Sequence, residues 1–269
     1  MAWSFREAPF LVAGPCVIEE GDLLPRVADA LAALGARLGI PVCFKASFDK
    51  ANRARAASAR GPGVERGLAL LARVKALSGL PVLTDVHEPA QARTAAEVVD
   101  ALQIPAFLCR QTDLLVAAGE TGLPVNVKKG QWMAPEAMAG AVEKVRLGAS
   151  RDVAVTERGT AFGYGDLVVD MRSFGRMREV CVAPVLIDAT HAVQRPGQGV
   201  AGASGGTRDD IPAILLAAAA AGADGFYLET HPAPEQAQSD AATQWPLARL
   251  EPLVAQALDV WHASRRRPA

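Results

Sequence analysis

The chain has 269 residues, half of them apolar and 21% charged, and its 28 Lys and Arg stand against 29 Asp and Glu for a formal charge of −1. This composition excludes a disordered, collagenous or coiled-coil protein. The near balance of charge excludes bulk electrostatic binding to nucleic acid or to an anionic membrane. The longest apolar run, Ala213–Ala221, falls well short of the roughly 18 residues of a membrane span. The first ten residues lack the basic flank and apolar core of a signal peptide. The four cysteines, Cys16, Cys43, Cys109 and Cys181, have no paired spacing. A cytoplasmic protein without disulfides, independent of membrane and nucleic acid, is expected.

Along the chain, short apolar runs alternate with longer amphipathic segments. Strands are predicted at Phe10–Ala13, Val42–Lys45, Val82–Thr84, Leu102–Ile104, Val125–Lys128, Val153–Thr156, Val185–Asp188 and Gly225–Leu228. Each is rich in Val, Ile, Leu or Phe, as strands buried on both faces require. Helices are predicted between them, for example at Leu23–Leu38, Val64–Leu77, Pro135–Leu147 and Ile211–Ala221. Proline precedes a strand at Pro41, Pro81, Pro124 and Pro184, with glycine before it in Gly39-Ile40-Pro41 and Gly122-Leu123-Pro124, a helix stop followed by a strand start. Eight strand–helix units predict an α/β fold, a (β/α)8 TIM barrel, as one catalytic domain over residues 1–269. A doubly wound sheet is the structural rival, but no G-x-G-x-x-G turn follows the first strand.

Polar side chains collect just after the strands, where the active sites of such barrels lie. They are Cys16 after the first strand, then Lys45, Ser47, Lys50, Asn52 and Arg53, then Asp85 and His87. Gln103 ends the fourth strand and Arg110 lies in the loop beyond it, Lys128 and Lys129 follow the fifth, Glu157 and Arg158 the sixth. Asp188 and His191 follow the seventh, and Glu229, His231 and Asp240 the eighth. The cations Lys45, Lys50, Arg53, Arg110, Lys128 and Arg158 exceed the acids near them in sequence, which points to phosphate or carboxylate ligands. Solvated surface charge suffices for Arg55 and Arg60. Cys16, His191, Glu229 and Asp240 offer a thiolate, an imidazole and two carboxylates, suited to a divalent transition ion: iron(II), zinc, manganese or cobalt. Their wide spacing carries no local motif, and Cys43, Cys109 and Cys181 read as inert core thiols. Ser204, in the glycine-rich run ahead of the helix at Ile211, belongs either to an anion-binding turn or to a lid. A lysine at a barrel strand end also allows a Schiff-base aldolase on Lys45; a non-catalytic phosphosugar-binding barrel leaves the donor set unexplained.

The runs Phe44-Lys45-Ala46-Ser47-Phe48-Asp49-Lys50-Ala51-Asn52-Arg53, Thr84-Asp85-Val86-His87-Glu88, Gln103-Ile104-Pro105-Ala106-Phe107-Leu108-Cys109-Arg110, Asn126-Val127-Lys128-Lys129-Gly130-Gln131 and Phe162-Gly163-Tyr164 resemble the 3-deoxy-D-manno-octulosonate 8-phosphate synthase (2-dehydro-3-deoxyphosphooctonate aldolase) family. The resemblance runs from about Phe10 to Leu253. It implies a transferase that joins phosphoenolpyruvate, D-arabinose 5-phosphate and water, releasing phosphate, for lipopolysaccharide biosynthesis. Lys50-Ala51-Asn52-Arg53 differs from the Lys-Pro-Arg-Thr run of the related heptulosonate synthases that use erythrose 4-phosphate, and so favours the five-carbon sugar. Gly14-Pro15-Cys16 and Ser239-Asp240-Ala241 resemble the metal-dependent type, with no organic cofactor.

Carried over by motif, Lys45, Lys50, Asn52, His87, Lys128 and His191 are the catalytic set, and His191 also joins Cys16, Glu229 and Asp240 as metal ligands. The resemblance gives the phosphate of phosphoenolpyruvate to Lys128 and Arg158, and its carboxylate to Lys45, Ser47 and Lys50. Asn52 and Arg53 meet the pentose phosphate. Asp85, Gln103, Pro105, Phe162 and Ser204 line the pocket. Arg110 reaches a neighbouring subunit of a homotetramer. Ala54 stands where many relatives carry serine, which removes one expected phosphate hydrogen bond. His191 and His87 are the candidates for activating water.

Overall fold

Four strands begin directly after proline, and the helices ahead of them stop on residues suited to a sharp return. Gly39 ends the helix Leu23–Leu38 with φ 66°, and Gly79 ends Val64–Ser78 with φ 69°, left-handed conformations that cost glycine little. The computed structural model describes residues 3–52, 58–161, 164–199 and 204–266.

Eight parallel strands form the barrel: Phe10–Gly14, Val42–Lys45, Val82–Asp85, Ala101–Ile104, Val125–Lys128, Val153–Glu157, Val185–Asp188 and Gly225–His231. They pair in chain order, and the first pairs with the eighth from Phe10↔Gly225 to Gly14↔Glu229, which closes the cylinder. The expected strands are all present, to within a few residues at their ends. The two-residue strand Trp245–Pro246 adds to the outer end of the eighth.

The helices Leu23–Leu38, Val64–Ser78, Pro89–Ala96, Thr112–Glu120, Met138–Arg146, Ser173–Cys181, Ile211–Ala221 and Leu250–Arg265 follow the eight strands in turn. The segment expected as one helix from Pro135 opens as a 3-10 turn, Pro135–Ala137, before the α-helix. One core lies between helices and barrel; a second fills the barrel interior with Phe10, Val12, Cys43, Leu83, Ala101, Ala154, Leu186 and Tyr227. Trp3 and Phe5 join the interior core, stacking edge-on with each other at 5.7 Å, and Trp3 meets Phe10 at 5.6 Å. The Phe5 amide donates to Asp152 ahead of the sixth strand, so this aromatic cluster closes the N-terminal end of the barrel. All four cysteines are buried and free. No helix among the described residues is long and apolar enough to cross a membrane.

Two short hairpins rise over the opposite end: Thr160–Ala161 with Leu167–Val168, and Gln194–Arg195 with Gly205–Gly206. Arg195 of the second forms an ion pair with Asp166 of the first.

Candidate active site

Side-chain alternation along a strand sends every second residue inward, and the inward polar residues meet at the C-terminal mouth. A cavity of roughly 770 Å3 opens there. Of the residues expected in the site, Lys45, Lys50, Asn52, Asp85, Gln103, Pro105, Lys128, Arg158, His191, Ser204, Glu229 and Asp240 line it. Ser47 and His87 stand one step back: both contact Asp85, His87 through Nε2 at 3.2 Å. Arg53 and Phe162, with Ala54 and Arg55, lie outside the described residues. Arg110 is exposed and lines a separate depression of about 370 Å3 with Trp132, Met133 and Lys144.

The cations are more fully partnered than their surroundings in sequence imply. Lys45 Nζ donates to the Cys16 carbonyl and to Glu229 Oε1, both at 2.9 Å. Lys50 Nζ lies 3.9 Å from the same carboxylate oxygen. Lys128 forms an ion pair with Asp188 and sits 3.5 Å from the centre of the Tyr227 ring, a cation–π contact. Arg158 donates from Nη2 to Gln194 at 3.0 Å, while its buried Nη1 has no hydrogen-bond partner among the described residues. That atom is a donor awaiting an acceptor. Burial lowers the Lys128 ammonium below its ordinary value in spite of Asp188. Burial would lower Lys50 as well, but Cys16, Glu229, Asp85 and Asp240 together raise it.

The other half of the mouth is a donor cluster. Ligand atoms of Cys16, Glu229 and Asp240 all lie within 4.8 Å of one another. Cys16 Sγ is 3.1 Å from Asp240 Oδ2 and 2.9 Å from Ser239 Oγ. His191 Nε2 points at the same place, 3.5 Å from Asp240 Oδ2 and 3.6 Å from Glu229 Oε2. The buried Glu229 Oε2 has no hydrogen-bond partner among the described residues. Burial would raise the Glu229 carboxyl, but Lys45, His191, Lys50 and Lys128 hold it well below its ordinary value. Burial, then Asp240 and Glu229, push the Cys16 thiol well up. A divalent cation in this cluster would reverse that last effect and satisfy the orphaned oxygen. A thiol, an imidazole and two carboxylates around an unsatisfied acceptor thus fit a transition ion by donor chemistry. Asp240 adopts φ 48°, a left-handed conformation unusual for a residue other than glycine and characteristic of functional loops.

Tyr227 and Asp188 enter the site without a role on sequence grounds. Tyr227 reads as an apolar strand residue, yet its hydroxyl donates to Glu229 Oε1 at 3.1 Å and its ring carries Lys128. Its separation of two from Glu229 was the available signal, since strand alternation puts both on one face. Asp188 was visible only as a strand-end acid. It receives Lys128 and also lies 2.6 Å from His191 Nδ1.

A closed parallel barrel with a cationic mouth beside a thiol–imidazole–carboxylate cluster defines a barrel enzyme acting on small anionic substrates. The DAHP synthetase I family model matches residues 6–262. A 2-dehydro-3-deoxyphosphooctonate aldolase of Nitratidesulfovibrio vulgaris strain DP4 is 52% identical over 252 residues, covering 94% of this chain and 92% of that protein. The proteins of that name from Rhodopseudomonas palustris strain BisB5 and Pisum sativum are 50% and 48% identical, covering 96% and 95% of this chain and 90% and 89% of their own lengths. The chain belongs to the DAHP synthetase I family, within its 2-dehydro-3-deoxyphosphooctonate aldolase group.

Proposed function

We propose that this protein condenses phosphoenolpyruvate with D-arabinose 5-phosphate and water, giving 3-deoxy-D-manno-octulosonate 8-phosphate and inorganic phosphate for lipopolysaccharide biosynthesis. The observation that carries it is the convergence of Lys45, Lys50, Lys128 and Arg158 on one cavity beside Cys16, His191, Glu229 and Asp240. Relatives about half identical over nearly the whole chain bear the name of this activity.

Two phosphorylated substrates repel each other, and a cationic cavity offsets that repulsion while fixing their approach. Lys128 and Arg158 take the phosphate of phosphoenolpyruvate, supported by the buried Nη1 of Arg158, which has no hydrogen-bond partner among the described residues. Lys45 and Lys50 face its carboxylate. Asn52 and Arg53 meet the sugar, with Asp85, Gln103, Pro105, Phe162 and Ser204 around it. The enol C3 attacks the aldehyde carbon, and the aldehyde oxygen takes up a proton. C2, left with oxocarbenium character, accepts water and gives up a proton. The C2–O bond to phosphate then breaks, phosphate leaving with the electron pair and taking up the proton of the C2 hydroxyl, whose oxygen becomes the ketone carbonyl.

Cys16, His191, Glu229 and Asp240 would hold a divalent transition ion (iron(II), zinc, manganese or cobalt), which supplies orientation and polarisation of the aldehyde when bound. Of the candidates for the water's proton, His191 lines the cavity but has no free nitrogen once it ligates the ion, and His87 stands behind Asp85. The protein works in the cytoplasm as a homotetramer, Arg110 reaching a neighbour's sugar phosphate. Its exposure, with Phe107 and Trp132 more than half exposed nearby and their rings 5.8 Å apart, supports that contact.

The test is release of phosphate from phosphoenolpyruvate with arabinose 5-phosphate and, separately, with erythrose 4-phosphate. Release with the pentose alone is expected; preference for the tetrose would make the enzyme a heptulosonate synthase. Against a Schiff-base aldolase, Lys45 Nζ is committed to two acceptors, and borohydride with substrate is expected to trap no adduct.

A further inference from the structure

Lys129 is fully buried, unlike a typical lysine, and does not border the cavity that its neighbour Lys128 lines. Its ammonium is turned onto the loop that leaves the sixth strand. Nζ lies 3.4 Å from Glu157 Oε1, 3.2 Å from Thr160 Oγ1, 3.4 Å from the Gly159 carbonyl and 3.3 Å from the Gly130 carbonyl. The Glu157 carboxylate faces the same loop: Oε1 accepts the backbone N–H of Arg158 at 3.0 Å and that of Gly159 at 2.7 Å. Gly159 has φ 87°, and a Cβ there would stand 2.9 Å from Leu167 Cβ, so the turn is both sharp and enclosed. Arg158, between these anchored residues, points its guanidinium into the cavity. A buried ion pair is expensive to form and costly to break on one side only. This one grips successive peptide groups around a single functional side chain.

We propose that Lys129 and Glu157 are positioning residues, whose buried pair fixes the 157–160 turn so that Arg158 presents its guanidinium to the phosphate of the first substrate. The inference rests on the assignment of phosphoenolpyruvate above. It concerns residues that touch no substrate and act only through Arg158, so its signature is selective. Displacing a phosphate clamp weakens one ligand and leaves the other alone.

The experiment compares Lys129→Met, Arg158→Ala and the double variant in steady-state kinetics, with calorimetric titration of inorganic phosphate. Lys129→Met is expected to raise KM for phosphoenolpyruvate about tenfold while kcat and KM for the sugar phosphate stay within about twofold. Added to Arg158→Ala, it is expected to do nothing more, because the side chain it positions is gone. An unchanged KM for phosphoenolpyruvate, equal losses for both substrates, or full additivity in the double variant overturns the proposal. If Lys129→Met does not fold, Glu157→Gln takes its place: it keeps an oxygen for the two N–H groups and removes the ion pair. A rise of about threefold confined to phosphoenolpyruvate is then expected, and no rise overturns the proposal. Should wild-type protein release no phosphate from phosphoenolpyruvate, the substrate assignment fails. The calorimetric arm then decides this proposal alone: weaker phosphate binding in the variant supports it, and equal binding overturns it.

Discussion

His191 Nδ1 lies 2.6 Å from Asp188 Oδ2, and the same aspartate receives the ammonium of Lys128. One fully buried carboxylate therefore orients the imidazole that faces the donor cluster and partners the lysine that faces the substrate. Burial would raise the Asp188 carboxyl, but His191 and Lys128 hold it well below its ordinary value. Hydrogen bonding at Nδ1 leaves Nε2 as the imidazole's free ligand atom. Asp188→Asn is expected to weaken metal binding by about 10- to 100-fold, measured by competition against a chelator. Unaltered metal affinity would show that the imidazole needs no such orientation.

Cys16 contributes the one soft donor in the cluster. Chelation is expected to abolish turnover, and a divalent transition ion to restore it. Cys16→Asn is expected to eliminate tight metal binding, checked by elemental analysis of protein purified without added metal. A variant that carries a full equivalent of metal would exclude Cys16 as a ligand.

Asp85 and His87 give the protein a stability profile with two edges. Burial would raise the Asp85 carboxyl, but the bond from His87 and the charges of Lys45 and Lys50 hold it well below its usual range. Its contribution is complete above the unfolded value near 3.9 and is lost as pH falls. For His87, burial would lower the imidazole, but Asp85 outweighs that and raises it. Its contribution is complete below the unfolded value near 6.5 and is lost as pH rises through the raised folded value. Urea unfolding at pH 3, 5.5 and 8.5 is expected to show wild-type stability falling on both sides of the middle value. Asp85→Asn is expected to flatten both falls by about 1–2 kcal/mol. Parallel profiles for wild type and variant would refute the coupling.

Val182 ends the helix Ser173–Cys181 at φ 47°, in the left-handed region, and is largely exposed. A β-branched residue is costly there, by about 1–2 kcal/mol, and glycine is the usual occupant. Val182→Gly is expected to raise the melting temperature by a few degrees, after about 0.5–1 kcal/mol of the gain is offset by chain entropy. A lower melting temperature would mean that the strain is compensated elsewhere.

The strands were legible because each is an apolar run with proline or a polar group at a known end. Lys45, Lys128 and Asp188 close such runs, and a parallel barrel must bring those ends together. The two hairpins over the mouth were not legible, since strands of two residues carry no period. Gln194 and Arg195 therefore enter the cavity lining without a sequence signal. The surplus of cations was overread for a related reason. Glu229 and Asp188 are distant in sequence from Lys45 and Lys128; closure of the barrel pairs the first couple, and the order of neighbouring strands in the sheet pairs the second.

The cylinder closes where Gly14 meets Glu229, so Cys16 and Glu229 stand on opposite banks of the seam joining the two ends of the chain. Zipping that seam demands the longest loop in the fold, an entropic toll that makes it a late event in assembly. An ion clasped by both banks would act as a rivet: its binding energy would fall on the joint most reluctant to form, and stripping it would loosen the molecule there first.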